Sequence, residues 1–375
     1  MDLGEESIQY KQKSWKTAHN AQNDVDFLCI TVVSFRKRAE RVRMPATMKD
    51  LARETGLGLA TISKYLNGGN VLERNKTLID DAIRRLDFRV NTLARGLKTN
   101  RTMTVGVIIP HFSGLFFTMV AAGVEDALGK HGYGILLCDS ETKRRGEREA
   151  VEFLVDKQVD GIIAVTNDDT MAPFVLARKR NVPVVLIDNV PTSRIYDVVT
   201  TDNLNSAREA TAHLLSKGHR KCGVICGPGQ IYTARERLAG YMDAYRRIGL
   251  EPDMDLVETT DYSLRGGYDG FCRLMERRPD MTALFTTNYE LTIGAIMAIQ
   301  KMGVEIPGRL SFVGFDDILL SDVVRPRLTL VSQPVQRIGS TAANHLRKLM
   351  TGGEPGGKII QVTNKLVVGE SVREV

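Results

Sequence analysis

Seven short apolar runs recur between residues 105 and 317: VGVIIP, YGILLCD, DGIIAV, VPVVLID, KCGVICG, ALFTTN and LSFVGFDD. Helical patterns lie between them, such as FTMVAAGVEDALGKHG and SAREATAHLLSKGH. A strand that is apolar on both faces has to be covered on both faces. Runs of this kind therefore predict parallel sheets with helices packed above and below. Seven or so strands predict two doubly wound halves, hence an α/β fold. Open sheets of this type bind ligands outside the carboxyl ends of their strands. Asp139, Asp188, Asn288 and Asp316 stand at those ends.

Residues 46–67, ATMKDLARETGLGLATISKYLN, follow a different rule. Thr47 is a suitable N-cap and Asp50 lies in the first turn beyond it. Gly56 stands where a chain leaving a helix needs a left-handed residue. A second helix over about 59–65 buries Ile62 and turns Ala60, Thr61 and Lys64 outward. Residues 75–86 predict a third amphipathic helix, with Leu78, Ile79, Ala82, Ile83 and Leu86 on one face. Two helices crossing over a small-residue turn make a helix-turn-helix, whose second helix fits the major groove of DNA.

The chain of 375 residues has room for more than one domain, and 26% charged with 43% hydrophobic residues suits a soluble globular protein. Its net charge of +6 is unevenly placed. Residues 44–103 hold 11 Lys/Arg against 6 Asp/Glu, residues 1–43 hold 8 against 6, and the remaining 272 hold 32 against 33. The basic excess lies on the expected DNA-reading end, as phosphate neutralisation requires.

Five cysteines occur, at 29, 138, 222, 226 and 272, with no CxxC pair, and the six histidines are scattered. No metal and no cofactor is expected, and Cys222 and Cys226 read as small core residues in a strand. The longest early apolar run, FLCITVVSF, is too short to span a bilayer, so no membrane partner is expected and the cytoplasm is the expected compartment. There is no GxSxG, no HExxH and no Walker A lysine, and no catalytic residue is assigned.

The runs DLARETG, ATISKYLN, VNTLARGL and VGVIIP, in that order, resemble the lac-repressor (LacI/GalR) family of bacterial transcription regulators, from about residue 46 to the C-terminus. The resemblance implies a three-helix helix-turn-helix headpiece over 44–90 and a hinge helix and linker over 91–103. An effector-binding and dimerisation domain of the type I periplasmic-binding-protein kind follows over 104–375. Its N-subdomain is expected over about 104–200 and 333–350, its C-subdomain over about 201–330 and 355–375. Residues 1–43 fall outside the resemblance. They read as a misassigned start with Met44 as initiator, the preferred reading, or as a flexible arm whose RKRAERVR meets phosphates.

By the same resemblance Leu59 and Ala60 occupy base-reading positions, and Lys64 stands where the family often has Arg, without the forked geometry of Arg. Thr47, Thr61, Ser63 and Asn67 are expected to donate to phosphates. Gly58 replaces a capping Ser or Thr. NTLARGL matches the hinge helix, with Asn91, Ala94 for close approach and Leu97 as a minor-groove wedge. So short a segment holds a helix only on DNA. Val90 replaces a Pro before it.

Phe117, Asp188, Arg237, Tyr262, Asn288, Asp316 and Gln333 fall at the family's ligand positions. Arg237 can fork onto vicinal hydroxyls or a carboxylate, Asp316 can accept from two hydroxyls, and the aromatics offer flat faces. Two departures bear on the ligand: Gly114-Leu115-Phe116-Phe117 lacks the family's Asn and Pro, and Asn288-Tyr289 replaces an Asn-Asp pair. A sugar or sugar derivative is the default effector, with a nucleobase or sugar acid as alternatives. The expected protein is a homodimeric regulator that binds double-stranded operator DNA, a repressor rather than an activator. No heptad follows LVVGES, so a tetramer is not expected. A cytoplasmic sugar-binding protein without specific operator binding is the rival reading.

Overall fold

The computed structural model describes residues 46–66, 68–89, 101–140, 146–317 and 319–375. They fall into two compact units that divide between residues 90 and 91. The 1–43 extension, Asn67 and the hinge segment with Val90, Asn91, Ala94 and Leu97 lie outside the described residues.

Among the described residues the first unit is three helices: α1 Met48–Thr55, α2 Leu59–Leu66 and α3 Glu73–Leu86. Leu51, Ile62, Ile79, Ala82 and Phe88 close a small core between them. Thr47 and Asp50 form a reciprocal capping box, and Gly56 ends α1 at φ 67°. The third helix starts two residues before its expected beginning. Leu78, expected on the apolar face, is 45% exposed, because Ile79 and Ala82 fill the seam one position on.

The second unit holds two six-stranded sheets. In chain order its elements are β1 Thr104–Ile109, α4 Leu115–Gly129, β2 Gly134–Asp139, α5 Glu147–Asp156, β3 Gly161–Ala164, α6 Val175–Lys179, β4 Val184–Ile187 and β5 Asp197–Thr201. Then come α7 Asn203–Ser216, β6 Cys222–Cys226, α8 Tyr232–Arg247, β7 Val257–Thr259, α9 Leu264–Arg277, β8 Ala283–Thr286, α10 Tyr289–Lys301 and β9 Ser311–Phe315. The last elements are α11 Leu320–Val323, β10 Thr329–Ser332, α12 Val335–Met350, β11 Ile359–Val362 and β12 Lys365–Val367. The sheet orders are β2-β1-β3-β4-β5-β11 and β7-β6-β8-β9-β10-β12, so the same winding occurs twice. Pairing is parallel except where β12 runs against β10. Helices bury an apolar cluster on each face of each sheet.

All seven expected runs are strands. Five further strands escaped the sequence reading because they are short and polar-rich. Thus β5, DVVTT, is wholly buried, yet Asp197 is satisfied by Gly356 N–H, Lys358 N–H and His345 Nε2.

Three segments cross between the lobes: β5 leads into α7, β10 into α12, and β11 into β12. The third crossing corrects the expected boundary. Ile359–Val362 pairs in parallel with Val198–Thr201, so residues 355–362 belong with the first lobe and the change of lobe falls between Val362 and Lys365.

Candidate functional site

In the first unit the recognition surface is the outer side of α2. Leu59 is 46% exposed, and Ala60 and Lys64 are exposed beside it, which leaves two apolar groups and a cation facing solvent on a short helix. Thr61, expected to turn fully outward, is half-buried, as is Ser63. The Thr47 hydroxyl donates to Asp50 Oδ2 at 2.7 Å, so its proton serves its own helix cap rather than standing open for a phosphate. A concave strip between α2 and the start of α3 is lined by Ala60, Lys64, Asn70, Leu72 and Asn75. Leu72 precedes α3 without capping it and is 62% exposed. Asn70 and Leu72 were not among the residues singled out from the sequence.

In the second unit a cavity of about 530 Å³ opens at the carboxyl ends of both sheets. Phe117, Asp188, Arg237, Tyr262, Asn288, Asp316 and Gln333 all line it. Asp139 does not; it accepts from Phe112 N–H and fixes the loop after β1.

Asp188 follows β4 and Asp316 follows β9, equivalent strands of the two sheets. Both have left-handed backbones, φ 71° and 70°, which turn the carboxylates off the strand ends into the cavity. Between them lies Arg237 from α8, 4% exposed. Its Nε donates to Asn203 Oδ1 at 2.8 Å and its Nη1 to the Thr287 carbonyl at 2.6 Å. The guanidinium stacks 3.9 Å from the Phe315 ring centroid, so its plane is fixed and its remaining N–H groups are free to meet a ligand.

Asp316 accepts from Gln333 Nε2 at 2.6 Å, and Gln333 Oε1 accepts from the Thr201 hydroxyl at 2.7 Å. Asn288 caps α10 by accepting from Leu291 N–H at 2.9 Å and donates to Glu290 Oε2 at 2.8 Å. Its amide therefore keeps one hydrogen for a ligand. Phe117 stands edge-on to Phe116 and to His111. The Tyr262 ring lies so close to Gly227 that a Cβ there would sit 2.3 Å from the ring. Burial raises the phenol of Tyr262 to about 12, which keeps it a protonated donor.

Burial pushes the Asp188 carboxyl up to about 6, with Arg237 pulling it down and Asp316 pushing it further up. Burial also raises Asp316, opposed by Arg237 and Gln333. Glu290 is raised by burial and by Asp316. The cavity is thus an acid-rich pocket with rigid donors and acceptors. It suits a small polar ligand with several hydroxyls.

A family model described as periplasmic binding proteins and sugar binding domain of LacI family matches residues 102–369. Catabolite control protein A of Priestia megaterium is 32% identical over 332 residues, which is 88% of this chain and 100% of the relative. The chain belongs to the LacI family. The ribose operon repressor of Escherichia coli (strain K12) is 31% identical over 303 residues, covering 80% of this chain and 92% of the relative. The solved complex of the transcriptional regulator CelR with cellobiose superposes with a TM-score of 0.67 at 26% identity, over 87% of this chain and 99% of that one.

This LacI-family protein is a DNA-binding transcription regulator. Its cavity also holds residues that the sequence reading missed. Glu290 is two positions beyond Asn288 in the first turn of α10, where an acid reads as an ordinary complement to the helix dipole. Asn203 opens α7 at the first crossing and stands behind the cavity wall rather than in it; only the partner it holds, Arg237, gives it away. His111 follows β1, one of three expected strand ends that carry no polar residue in the sequence analysis.

Proposed function

We propose that this LacI-family regulator is a homodimeric repressor whose operator affinity is set by a sugar or sugar derivative bound among Phe117, Asp188, Arg237, Tyr262, Asn288, Asp316 and Gln333. The observation that carries the reading is the convergence of these seven residues, from separate elements of both lobes, on one cavity at the strand ends. Asp188 and Asp316 accept from hydroxyls, Arg237 donates from a fixed plane, and Phe117 and Tyr262 cover the faces of the ring. The named specialities of relatives, a ribose operon and a cellobiose complex, favour a carbohydrate.

On the DNA side Leu59 and Ala60 contact base edges, where apolar side chains meet a thymine methyl, and Lys64 reaches a guanine or a phosphate. Thr61, Ser63 and Asn67 set the register on the backbone. Asn91, Ala94 and Leu97 form the hinge over 91–103, with Leu97 wedging the minor groove. The headpiece spans 44–90 and the effector domain 104–375. Two-fold operators call for a dimer. The protein works in the cytoplasm on its ligand without chemistry. Among the described residues no helix is long and apolar enough to cross a membrane.

Asp316→Asn tests the ligand half, because Asn tolerates the left-handed backbone at this position. The variant should lose at least about tenfold in ligand affinity, as expected when a charge-assisted acceptor is removed. It should keep its operator affinity without ligand, and lose the response to ligand. An unchanged response in an operator-binding titration would move the ligand site elsewhere.

A further inference from the structure

The charge of the cavity does not match a neutral ring. Asp188, Asp316, Glu290 and Asp261 line it, against Arg237 and His111. Even with His111 protonated, four carboxylates face two cations. Arg237 spends two of its N–H groups on Asn203 Oδ1 and the Thr287 carbonyl, and its charge pulls down Asp188, Asp316 and, least, Glu290. Asp261 is exposed at the rim and accepts from Ser263 Oγ at 2.7 Å, so water and that hydroxyl serve it. Glu290 is different. It is half-buried and accepts from the neutral Asn288 amide, and of the charges near it Asp316 is alike while His111 and, more weakly, Arg237 are opposite. Nor do these acids form a metal site: among the described residues no group of three or more His, Cys, Asp or Glu is placed to hold an ion. A half-buried carboxylate in excess of its cations is costly: it either holds a proton more readily, as the raised Glu290 does, or takes the missing charge from a ligand.

We infer that the effector is an amino sugar, a hydroxylated ring whose ammonium group pairs with Glu290 while its hydroxyls meet Asp188, Arg237 and Asp316. The inference rests on the reading of this cavity as a carbohydrate site and gives that site its ligand class. The Asn288–Glu290 hydrogen bond holds the Glu290 carboxylate at the wall, and the single unused amide hydrogen of Asn288 remains for a neighbouring hydroxyl. A sugar acid would bring a further negative charge into a cavity that already has too many, so this arrangement rejects it.

The full-length protein is screened by thermal shift and then calorimetry against glucosamine, galactosamine and mannosamine, each beside its parent hexose and its N-acetyl derivative. At least one amino sugar should bind about tenfold or more tighter than both of its neutral counterparts, the step expected of one charge-assisted hydrogen bond. Glu290→Gln, which keeps the shape and can still accept from Asn288, should bring that preference to within about twofold. Glu290→Ala serves as the second variant should the first not melt cooperatively. Asp316→Asn should weaken the amine and neutral forms alike. Neutral hexoses that bind as tightly as their amines would overturn the amine and leave the carbohydrate reading standing. A preference that survives both Glu290 variants would overturn the pairing. No shift with any sugar would sink the carbohydrate reading and the inference with it.

Discussion

Asp188 and Asp316 occupy one position in a structure built twice, the residue after the fourth strand of each sheet. Each sits in a left-handed backbone and is desolvated, and Arg237 lies between them. Their stability effect follows from the raised pKa. The folded chain keeps the Asp188 proton up to about pH 6, against an ordinary 3.8. Between those values the folded protein carries a proton that the unfolded chain has lost, so stability falls as pH rises through this window. Asp188→Asn has no proton to lose and tolerates the same φ. Without ligand it should be more stable than the natural protein by on the order of 2 kcal/mol at about pH 7, and equal to it below about pH 4. Urea midpoints across that range check it; a constant difference would mean the carboxylate is not the source. This pair was legible in VPVVLID and VGFDD because a polar residue ending an apolar run has to leave the sheet. Glu290 and Asn203 were not, because each opens a helix, where acids and amides have ordinary capping work.

The elements depend on close approach as much as on apolar pattern. Helices α9 and α10 meet through glycines: a Cβ on Gly294 would lie 2.0 Å from the Leu264 carbonyl oxygen, and one on Gly267 2.5 Å from that of Leu291. The α4–α12 pair repeats the arrangement with Gly123 and Gly339. Gly294→Ala must therefore part the two helices, at a cost of about 1–3 kcal/mol. Because α10 carries the Asn288 cap and Glu290, ligand affinity should fall with it. Gly134→Ala, where a Cβ meets nothing within 4 Å, is the control. Equal urea midpoints for the two variants would remove the packing argument. Apolar runs revealed seven strands; β7, β10, β11 and β12, of three or four residues, each carry polar side chains that break the run. The lobe of residues 355–362 was misjudged for the same reason, since which sheet takes up four residues is decided by tertiary pairing.

At the scale of the second unit, the two lobes are joined by crossing segments whose side chains also hold the ligand groups. Gln333, in the second crossing, ties Asp316 of one lobe to Thr201 at the first crossing, and Asn203 in that first crossing holds Arg237. A change in the angle between the lobes has to pass through these backbone positions, so it has to alter the placement of Asp316 and Arg237. A ligand that fixes those two side chains stabilises one lobe angle over others, and by linkage the operator then favours or opposes the same ligand by the same factor. The sequence offered Gln333 only as a cavity residue; that it is also a tether depends on a contact between residues 132 positions apart, which no local pattern carries. Gln333→Ala separates the two roles. It removes the tether while leaving Asp316, Arg237 and the headpiece in place. Operator affinity without ligand should match the natural protein. With ligand at saturation, the shift in operator affinity should shrink by about 1 kcal/mol or more, out of the 1–3 kcal/mol usual for such coupling. Fluorescence anisotropy on operator DNA, with and without saturating ligand, measures both quantities. Should the variant bind ligand more weakly yet show the full shift once saturated, Gln333 is a ligand contact alone, and the coupling runs through the Asn203–Arg237 crossing instead.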